Sequence, residues 1–430
     1  MTTSGRLMRM TITPSLYSKP ASSESAPMPV VLQVLPALKD GGVESSAIEM
    51  AYYLKTQNWT ALVASAGGPK AALLARGDIS HIQLPLSSKM PWIIMWNAVR
   101  LAKVIHQSGV SLVHARSRAP AWSAWLACKM TGVPYITTFH GTYGLSGSKL
   151  KRFYNSIMVR GHYIIANSHF IERHIIENYN VTPSRIIVAP RGIMPEIWNP
   201  ALFDTTSQKA VQDELAVPND SPLLLMAGRI TRWKGHDLVL EALGQLTDLP
   251  WTLAIAGGAD KDSTYADHLK ARAEVLGIEG RIRWLGSRSD LPRLLSASQL
   301  AISGSTRPEA FGRVAIEAMA MGVPVVATGL GGSLETIVDD ETGWLVMPES
   351  QNRDSKEMTF GEFRPQAMAE KLRNALQNPR QLASMGHAAR ARVLSKYTVE
   401  ACCSMELLAY KLTLKIKEAT TPLTGQAKPQ

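Results

Sequence analysis

The chain has 430 residues, of which 45% are hydrophobic and 19% charged, and this composition is typical of a folded globular protein. The length exceeds that of an ordinary single domain, so we expect two domains with separate cores. No apolar run approaches the ~18 residues that a membrane-spanning helix needs. The three cysteines lack metal-ligand spacing, so we expect a reduced, cytoplasmic protein without structural zinc.

The net charge of +11 is unevenly distributed along the chain. Residues 1–200 contain 20 Lys and Arg against 8 Asp and Glu, or +12, whereas residues 201–430 contain 26 against 27, or −1. We therefore expect the first half to be attracted to an anionic partner such as a membrane surface or phosphate groups, unless the excess serves only solubility. Nucleic acid is an alternative that we disfavour, because no helix-turn-helix, RNP or zinc-finger pattern appears.

The first 28 residues are rich in Ser, Thr and Pro and lack a continuous apolar core, which predicts a flexible leader rather than a secretion signal. Short apolar runs then alternate with helical patterns such as 45–54 and 92–107. The runs that predict buried strands are "PVVLQVLP", "TALVAS", "SLVHA", "PYITTFH", "YIIANS" and "RIIVAP". Continuous apolar strands between helices predict a parallel sheet that helices cover on both faces.

Gly41 and Gly42 stand between the first of these strands and a helix that begins near Glu44. Two glycines allow a ligand to approach the backbone closely, and a helix start offers free N–H groups to an anion. A tight turn explains the same two glycines equally well.

The strand and helix pattern repeats after a break at 190–200. The second set of apolar runs is "PLLLMAG", "WTLAIAG", "RIRWLG", "LAISGS", "PVVAT" and "GWLVM", with a helical pattern at 235–246. The sequence thus predicts an α/β protein of two doubly wound, Rossmann-like domains that face each other across a cleft. We place the domains at 29–200 and 201–398, followed by a helix at 399–418 that could pack back on the first domain and a flexible tail at 419–430.

Two cations follow the first strand of the second half, in "AGRITRWKG". Arg229 leaves the strand end, and Lys234 comes five residues later, just before a helix. Arg can hold phosphate oxygens with two parallel hydrogen bonds, and Lys adds a point charge. This pattern fits a diphosphate site, although two solvated loop cations would look the same.

The stretch "STRPEAFGRVAIEAMAMGVPVVAT" carries an isolated carboxylate, Glu317, in a helix that is apolar on almost every face. A buried carboxylate needs a partner, which is either an internal salt bridge to Arg313 or a pair of sugar hydroxyls. Glu309 stands ahead of the same helix. It could serve as a capping acid, or it could face a ligand whose anionic part lies on the helix N-terminus.

The motifs "AGRITRWKG", "RPEAFGRVAIEAMAMGVPVVAT" and "GLGGSLETIVDDETGWLV" occur in the order found in the retaining glycosyltransferases of the GT4 group, which the chain resembles over residues ~29 to ~410. The resemblance implies the two-domain GT-B fold and a nucleotide-sugar donor. It implies that Glu317 binds the nucleotide ribose and that Glu309 contacts the donor sugar. It assigns the diphosphate to Arg229 and Lys234, with the backbone of three residues beside it: Phe311, Gly312 and Arg313.

Two residues of the first half match the same family. Gly42, next to Gly41, would approach the donor phosphate from across the cleft, and His140 in "TTFHG" matches the histidine beside the transferred sugar. A satisfied core histidine is the alternative for His140. The family usually has Gly after the first glutamate, and Ala310 stands here instead, so an added methyl group would narrow the sugar pocket.

The pair Asp260 and Asp262 looks like the aspartates that hold a metal in other glycosyltransferases, but it follows "WTLAIAGG", where the GT4 group has a nucleotide-contacting loop. We interpret it as a solvated turn. No cofactor and no catalytic metal are therefore expected, because Arg229, Lys234 and helix dipoles would stabilise the departing diphosphate.

The resemblance also implies that the first domain recognises the acceptor. There "VHARSRAPAWSAW" places Arg116 and Arg118 after a strand, where they could hold an acceptor phosphate or carboxylate or simply form a basic loop. The stretch is similar to a bacterial branch that builds lipopolysaccharide core or other envelope glycans. The expected function is a metal-independent, retaining transfer to an envelope glycan or lipid-linked acceptor on the inner face of the cytoplasmic membrane. A GT-B epimerase and a noncatalytic sugar-nucleotide binder are the alternatives.

Overall fold

The computed structural model describes residues 28–39, 41–143, 148–259, 264–349 and 363–415. Its strands form two parallel sheets, one in each half of the chain. No helix of these residues is long and apolar enough to cross a membrane.

The first sheet is built from the apolar runs of residues 30–188. Its strands are β1 (Val30–Val34), β2 (Thr60–Ser65), β3 (Ser80–Gln83), β4 (Leu112–Ala115), β5 (Tyr135–Phe139), β6 (Ile164–Ala166) and β7 (Ile186–Val188). Their order in the sheet is β3-β2-β1-β4-β5-β6-β7. The helices of this half are α1 (Gly42–Thr56), α2 (Ala71–Arg76), α3 (Pro91–Gln107), α4 (Arg118–Thr131), α5 (Lys149–Asn155) and α6 (His169–Tyr179). Short 3-10 turns lie at Ser156–Val159 and Pro183–Arg185.

The second sheet follows the same plan. Its strands are β8 (Leu223–Ala227), β9 (Thr252–Ala256), β10 (Ile282–Gly286), β11 (Leu300–Ser303), β12 (Val325–Thr328) and β13 (Gly343–Val346), in the order β10-β9-β8-β11-β12-β13. Its helices are α7 (Thr205–Glu214), α8 (His236–Leu243), α9 (Tyr265–Val275), α10 (Leu291–Ser296), α11 (Arg313–Ala320), α12 (Ser333–Thr336), α13 (Pro365–Gln377) and α14 (Pro379–Lys396), and α15 (Val399–Leu414) ends the described chain. Further 3-10 turns lie at Pro200–Leu202, Arg232–Lys234 and Glu279–Arg281.

Alternating side chains of each strand pack into cores on the two faces of its sheet. In β1, Leu32 belongs to the core on one face and Val31 to the core on the other. In β8, Leu224 and Leu225 divide in the same way. This burial on both faces explains why the strands are continuous apolar runs, and it confirms the predicted doubly wound α/β architecture.

The strand β3 was not predicted. Its sequence, Ser-His-Ile-Gln, lacks a continuous apolar run because β3 lies at the edge of the sheet and its residues are only partly buried or exposed. Because none of its side chains is fully buried, β3 carries a weaker hydrophobic signal than the buried strands of the same sheet.

Two chain segments cross between the halves and bond to each other. Ile193 donates to the carbonyl of Tyr397 at 2.9 Å and accepts from the amide of Val399 at 2.9 Å. Gly192 lies so close to Thr398 that a Cβ added there would stand 2.1 Å from its backbone carbon, so only glycine fits. The two crossings therefore form one connected element.

After the second crossing, α15 packs against α1 and β7 of the first half. Its apolar residues, among them Cys402, Leu407 and Tyr410, complete the core on that face of the first sheet. The helix ends at Leu414, where Lys415 adopts a left-handed conformation with φ of 56°. The final residues of the predicted helix, 416–418, lie outside the described chain.

Candidate active site between the two sheets

The loop between β11 and α11 brings Glu309 to Lys234, which ends the 3-10 turn after β8. Lys234 Nζ lies 2.7 Å from Glu309 Oε1, and Ser305 Oγ donates to the same oxygen at 2.5 Å. Both charged side chains are largely buried. The ammonium also lies 4.5 Å from the ring centroid of Trp233, a geometry that favours a cation. Two residues assigned separately to the diphosphate and the sugar therefore form one ion pair.

The start of α11 is fixed by a glycine in a conformation that other residues rarely adopt. Gly312 has φ of 81° and is the N-cap of the helix. The side chain of Phe311 is buried edge-to-face against Tyr397, with ring centroids 5.5 Å apart. Only the backbone of Phe311 can therefore face a ligand, and it adjoins the unpaired N–H groups that begin a helix.

Glu317 lies on α11 one turn beyond Arg313. Arg313 Nε is 3.3 Å from Glu317 Oε1, so the salt bridge considered from the sequence exists. Burial raises the pKa of Glu317, and the nearby Arg313 charge opposes that rise. The carboxylate is therefore buried and paired with this cation.

Arg313 also connects the site to the first half of the chain. A Cβ added to Gly42 would stand 3.7 Å from Arg313 Cδ. Burial lowers the pKa of Arg313, but the carboxylates of Glu317 and of Glu49 on α1 outweigh this effect and raise it. Gly42 begins α1 and Arg313 begins α11, so the first residue of α1 lies beside the side chain of the first residue of α11. Gly41 and Gly42 are both exposed there. Such an arrangement suits an anion.

Arg229 is exposed just after β8, on the sheet edge that carries Lys234. Its neighbour Gly228 approaches the Lys234 side chain, since a Cβ there would lie 3.7 Å from Lys234 Cε. Arg229 thus lies at the carboxyl end of β8 with its side chain exposed to solvent.

His140 follows β5 at the carboxyl edge of the first sheet. Its Nδ1 hydrogen-bonds to the Arg191 guanidinium, whereas its Nε2 is enclosed and has no hydrogen-bond partner among the described residues. Burial lowers the pKa of His140 well below its usual value, and the positive charges of Arg191 and Arg116 act in the same direction. The ring is therefore neutral at neutral pH.

Arg116 does not face the cleft, which corrects its expected role on an acceptor. The side chain is 0% exposed and lies 2.5 Å from Glu406 Oε2 of α15. Its other donors reach Gln33 Oε1 at 2.8 Å and Ser46 Oγ at 3.1 Å. A buried guanidinium is stable only when paired and hydrogen-bonded, and here every such contact is within the protein.

Arg118, in contrast, is partly exposed at the start of α4. It donates to Asn155 Oδ1 at 2.9 Å and lies 4.4 Å from the ring centroid of Tyr143. This placement leaves part of the cation open toward solvent.

Contacts between the halves hold the site together. Glu335 of α12 accepts from the backbone amides of His169 at 2.9 Å and Phe170 at 2.5 Å, at the start of α6. Ser168 Oγ donates to the Ala310 carbonyl at 2.5 Å. A carboxylate at a helix N-terminus is favoured by the helix dipole, so Glu335 caps a helix in the opposite half.

Several residues of this site escaped the sequence analysis. Arg191, Ser305 and Glu335 are the clearest cases. Arg191 and Glu335 make their contacts with distant parts of the chain, whereas Ser305 contacts Glu309 within its own loop. Arg191 and Ser305 follow strand ends, a position that could have marked them. No pattern in the sequence around Glu335 predicts its contact with the start of α6. Asp260 and Asp262 lie outside the described residues, among which no cluster of His, Cys, Asp or Glu is arranged to hold a metal.

Two family models match the chain. The one described as Glycosyl transferases group 1 matches residues 207–392, and the one described as Glycosyltransferase Family 4 matches residues 40–197. A curated relative, the D-inositol 3-phosphate glycosyltransferase of Xylanimonas cellulosilytica, is 28% identical over 249 residues, or 55% of this chain. The chain spans 59% of the length of that relative.

Solved structures extend the match to nearly the whole chain. A glycosyltransferase from Rickettsia africae ESF-5 is 34% identical, with a TM-score of 0.82 over 91% of this chain and 100% of that one. Anabaena HepE, solved with UDP and glucose, is 22% identical, with a TM-score of 0.74 over 89% of this chain and 99% of HepE, and it shares the fold. These matches agree with the two facing sheets and the motif order, and the chain belongs to the GT4-type glycosyltransferases of the GT-B fold.

Proposed function

We propose that the cleft binds a nucleoside-diphosphate sugar and that the enzyme transfers the sugar with retained anomeric configuration. The observation that carries this proposal is the pairing of Lys234 with Glu309 beside the N-terminus of α11. A cation and unpaired helix N–H groups suit a diphosphate, and a carboxylate suits sugar hydroxyls. Anabaena HepE was solved with UDP and glucose, which are a nucleoside diphosphate and a sugar.

In this proposal each residue binds a different part of the donor. Arg229, Lys234 and the backbone at Phe311 and Gly312 hold the diphosphate, and Glu317 holds the ribose. Glu309 and His140 position the sugar. When the donor enters, its phosphate oxygens compete with Glu309 for Lys234, which frees the carboxylate for the sugar.

The chemical step needs no protein nucleophile in this account. The bond between the anomeric carbon and the diphosphate oxygen breaks while the acceptor oxygen bonds to the same face of that carbon. A phosphate oxygen of the departing diphosphate takes the proton of the acceptor hydroxyl. Arg229, Lys234 and the α11 N-terminus stabilise the negative charge that develops, and this stabilisation takes the place of a metal ion.

The proposed acceptor is an envelope glycan or lipid-linked molecule such as lipopolysaccharide core. Of the two arginines expected to bind the acceptor, Arg118 is partly exposed and could hold an anionic group of the acceptor. The curated relative is named for inositol 3-phosphate, which is also anionic. A small phosphorylated polyol is therefore the second acceptor class to be tried.

We propose further that the first half docks on an anionic membrane surface. Residues 79–171 contain ten Lys and Arg and no Asp or Glu, so this stretch of 93 residues carries +10, although one of the ten, Arg116, is buried and paired with Glu406. Each Lys or Arg near an anionic leaflet contributes about 1 kcal/mol of binding, so a handful suffices for reversible association.

Apolar side chains accompany these cations on the surface. One face of α3 exposes Trp92, Met95, Trp96 and Val99, with Trp92 65% and Trp96 49% exposed. The spacing of these residues places them on one stripe. Arg100 lies 4.5 Å from the ring centroid of Trp96. Tryptophan beside cations is typical of membrane interfaces.

The short helix α5 continues this character. Leu150 and Phe153 are exposed, next to the exposed cations Lys149 and Arg152. Phe153 and Arg160 both contact the Trp122 ring of α4. The alternative for α5 is an ordinary basic outer face over an apolar inner one, but exposed Leu150 and Phe153 favour the membrane.

Vesicle co-sedimentation tests the docking proposal. Wild type should bind anionic liposomes, weaken steeply with salt and ignore neutral liposomes, because surface attraction is screened within ~8–10 Å at physiological ionic strength. The variants Lys149→Glu/Arg152→Glu and Trp92→Ser/Trp96→Ser should each reduce binding. The variant Lys209→Glu, at an exposed cation of the second half, serves as the control. Equal binding to neutral vesicles, or no binding to either, contradicts the proposal.

The transfer itself is tested by release of nucleoside diphosphate from UDP-, GDP- and ADP-linked hexoses. Each donor is offered without acceptor, with lipopolysaccharide core and with inositol 3-phosphate. Release that depends on one acceptor and is lost in Lys234→Ala supports the proposal. Conversion of the donor to its epimer without any acceptor would favour the epimerase, and binding without turnover would favour a noncatalytic binder.

A further inference from the structure

Two polar side chains stand next to each other at the carboxyl edge of the first sheet. His140 directly follows β5 and Asn167 directly follows β6, and the last paired residues of these strands are Phe139 and Ala166. Adjacent strands lie ~4.8 Å apart, so His140 and Asn167 are neighbours. The next residue, Ser168, contacts Ala310 of the second half, so this edge lies at the cleft.

Each of the two side chains has a buried polar atom without a partner. His140 Nε2 and Asn167 Oδ1 are enclosed, and neither has a hydrogen-bond partner among the residues that the structure describes. Asn167 is only 4% exposed. Buried polar atoms are nearly always hydrogen-bonded, so two unpaired ones at neighbouring positions in a ligand cleft point to groups supplied by a ligand.

Arg191 determines which nitrogen of His140 carries the hydrogen. A guanidinium only donates, so His140 Nδ1 must accept from it and the hydrogen of the neutral ring must be on Nε2. Arg191 is itself held by Ser46 and by Glu406, whose Oε1 lies 3.8 Å from Arg191 Nη1. Glu406 belongs to α15, so the C-terminal helix supports a residue of the cleft.

We propose that His140 Nε2–H and Asn167 Oδ1 form a donor and acceptor pair for adjacent hydroxyl groups of the transferred sugar, and that Arg191 is a positioning residue that sets the donor. This inference rests on the proposed function and adds Asn167 and Arg191 to the sugar subsite. The geometry suits a sugar because neighbouring hydroxyls both donate and accept hydrogen bonds. In the proposed function the second half of the chain binds the diphosphate, which therefore does not need this pair.

Calorimetry separates the two parts of the donor. A nucleotide sugar from the UDP, GDP and ADP panel is compared with its nucleoside diphosphate. Asn167→Ala and His140→Ala should each weaken nucleotide-sugar binding about tenfold, as expected for one lost hydrogen bond, while the nucleoside diphosphate binds as before. Asn178→Ala, at an exposed asparagine of α6, is the matched control.

The outcomes are distinct. If wild type binds a nucleotide sugar and Asn167→Ala binds it equally well, this inference is overturned while the proposed function stands. If wild type binds no nucleotide sugar and no nucleoside diphosphate, the proposed function is refuted, and this inference with it.

The tautomer is read directly by 15N NMR of histidine-labelled protein. Wild type should show the His140 hydrogen on Nε2, and Arg191→Lys, which keeps a cationic donor, should preserve it. In Arg191→Met the His140 hydrogen should no longer be confined to Nε2. This variant should bind the nucleotide sugar more weakly than wild type and the nucleoside diphosphate equally well. A hydrogen on Nδ1 in wild type overturns the role of Arg191, even if Arg191→Met fails to fold.

Discussion

Lys234 Nζ lies 2.7 Å from Glu309 Oε1, so a residue assigned to the donor diphosphate and one assigned to the donor sugar are in direct contact. Ser305 donates to the same carboxylate oxygen. Each of the two charges is paired with the other. A diphosphate must therefore displace Glu309 from Lys234 before it gains the full interaction.

This competition predicts an unusual effect of Glu309→Gln. The amide no longer holds Lys234 by charge, so affinity for the nucleoside diphosphate should stay equal to wild type or rise up to about tenfold, the scale of one charge-assisted contact. Transfer should fall at least tenfold, because the sugar loses its carboxylate. Calorimetry and initial rates on the same preparation check both halves. A loss of nucleoside-diphosphate affinity in Glu309→Gln would show that the pair does not compete with the ligand.

The cap that Glu335 places on α6 predicts that this residue holds the two halves together. Glu335→Ala removes two bonds to backbone amides of the opposite half, each worth about 1.5–3 kcal/mol as a charge-assisted contact. Small-angle scattering should then report a larger radius of gyration. Glu341→Ala, at an exposed glutamate of the same half, should leave it unchanged. Identical scattering for both variants would mean that Glu335 does not control closure.

The buried His236 at the start of α8 predicts a loss of stability in acid. Burial lowers the pKa of His236 to about 4 from its usual 6.5. Below pH 6.5 the unfolded chain binds a proton on this histidine that the folded protein excludes. The contribution of His236 to the free energy of unfolding is therefore complete above pH 6.5 and is lost as the pH falls toward 4. The loss attributable to His236 is about 2 kcal/mol at pH 5.

Urea unfolding at pH 7.5 and pH 5 measures this loss. In His236→Leu the difference between the two pH values should shrink by about 2 kcal/mol. In His387→Leu, at an exposed histidine of α14, it should stay as in wild type. The same pH dependence in both variants would exclude His236 as the cause.

Transfer should survive chelation, because Arg229, Lys234 and helix N-termini are proposed to stabilise the departing diphosphate. Initial rates in excess EDTA should equal those in its absence. Complete loss of activity that manganese or magnesium restores would contradict this prediction and would make Asp260 and Asp262 the first residues to replace.

The fold was largely predictable because buried parallel strands consist of continuous runs of apolar residues. Twelve strands followed from such runs, and β3 was missed because its sequence, Ser-His-Ile-Gln, has no such run. The parallel backbone bridge between Ile193 and Thr398, where the two chain segments cross between the halves, was not predictable. Backbone hydrogen bonds between distant segments leave no local pattern in the sequence.

The site was predictable where its residues are local to a motif. Arg313 and Glu317 are one helical turn apart, so their pairing could be considered from spacing alone. Arg116 was misplaced because its partner, Glu406, lies 290 residues later in the chain. A cation after a strand looks the same in sequence whether it faces a ligand or a distant carboxylate.

The most direct test of a donor diphosphate at Lys234 and Arg229 is calorimetry of nucleoside diphosphate binding to Arg229→Ala, Lys234→Ala and the control Lys209→Ala. Each of the first two removes a charge-assisted contact worth about 1.5–3 kcal/mol, so affinity should fall roughly tenfold to a hundredfold without unfolding, whereas Lys209→Ala should bind as wild type does. Wild-type affinity in both Arg229→Ala and Lys234→Ala would contradict the proposed site.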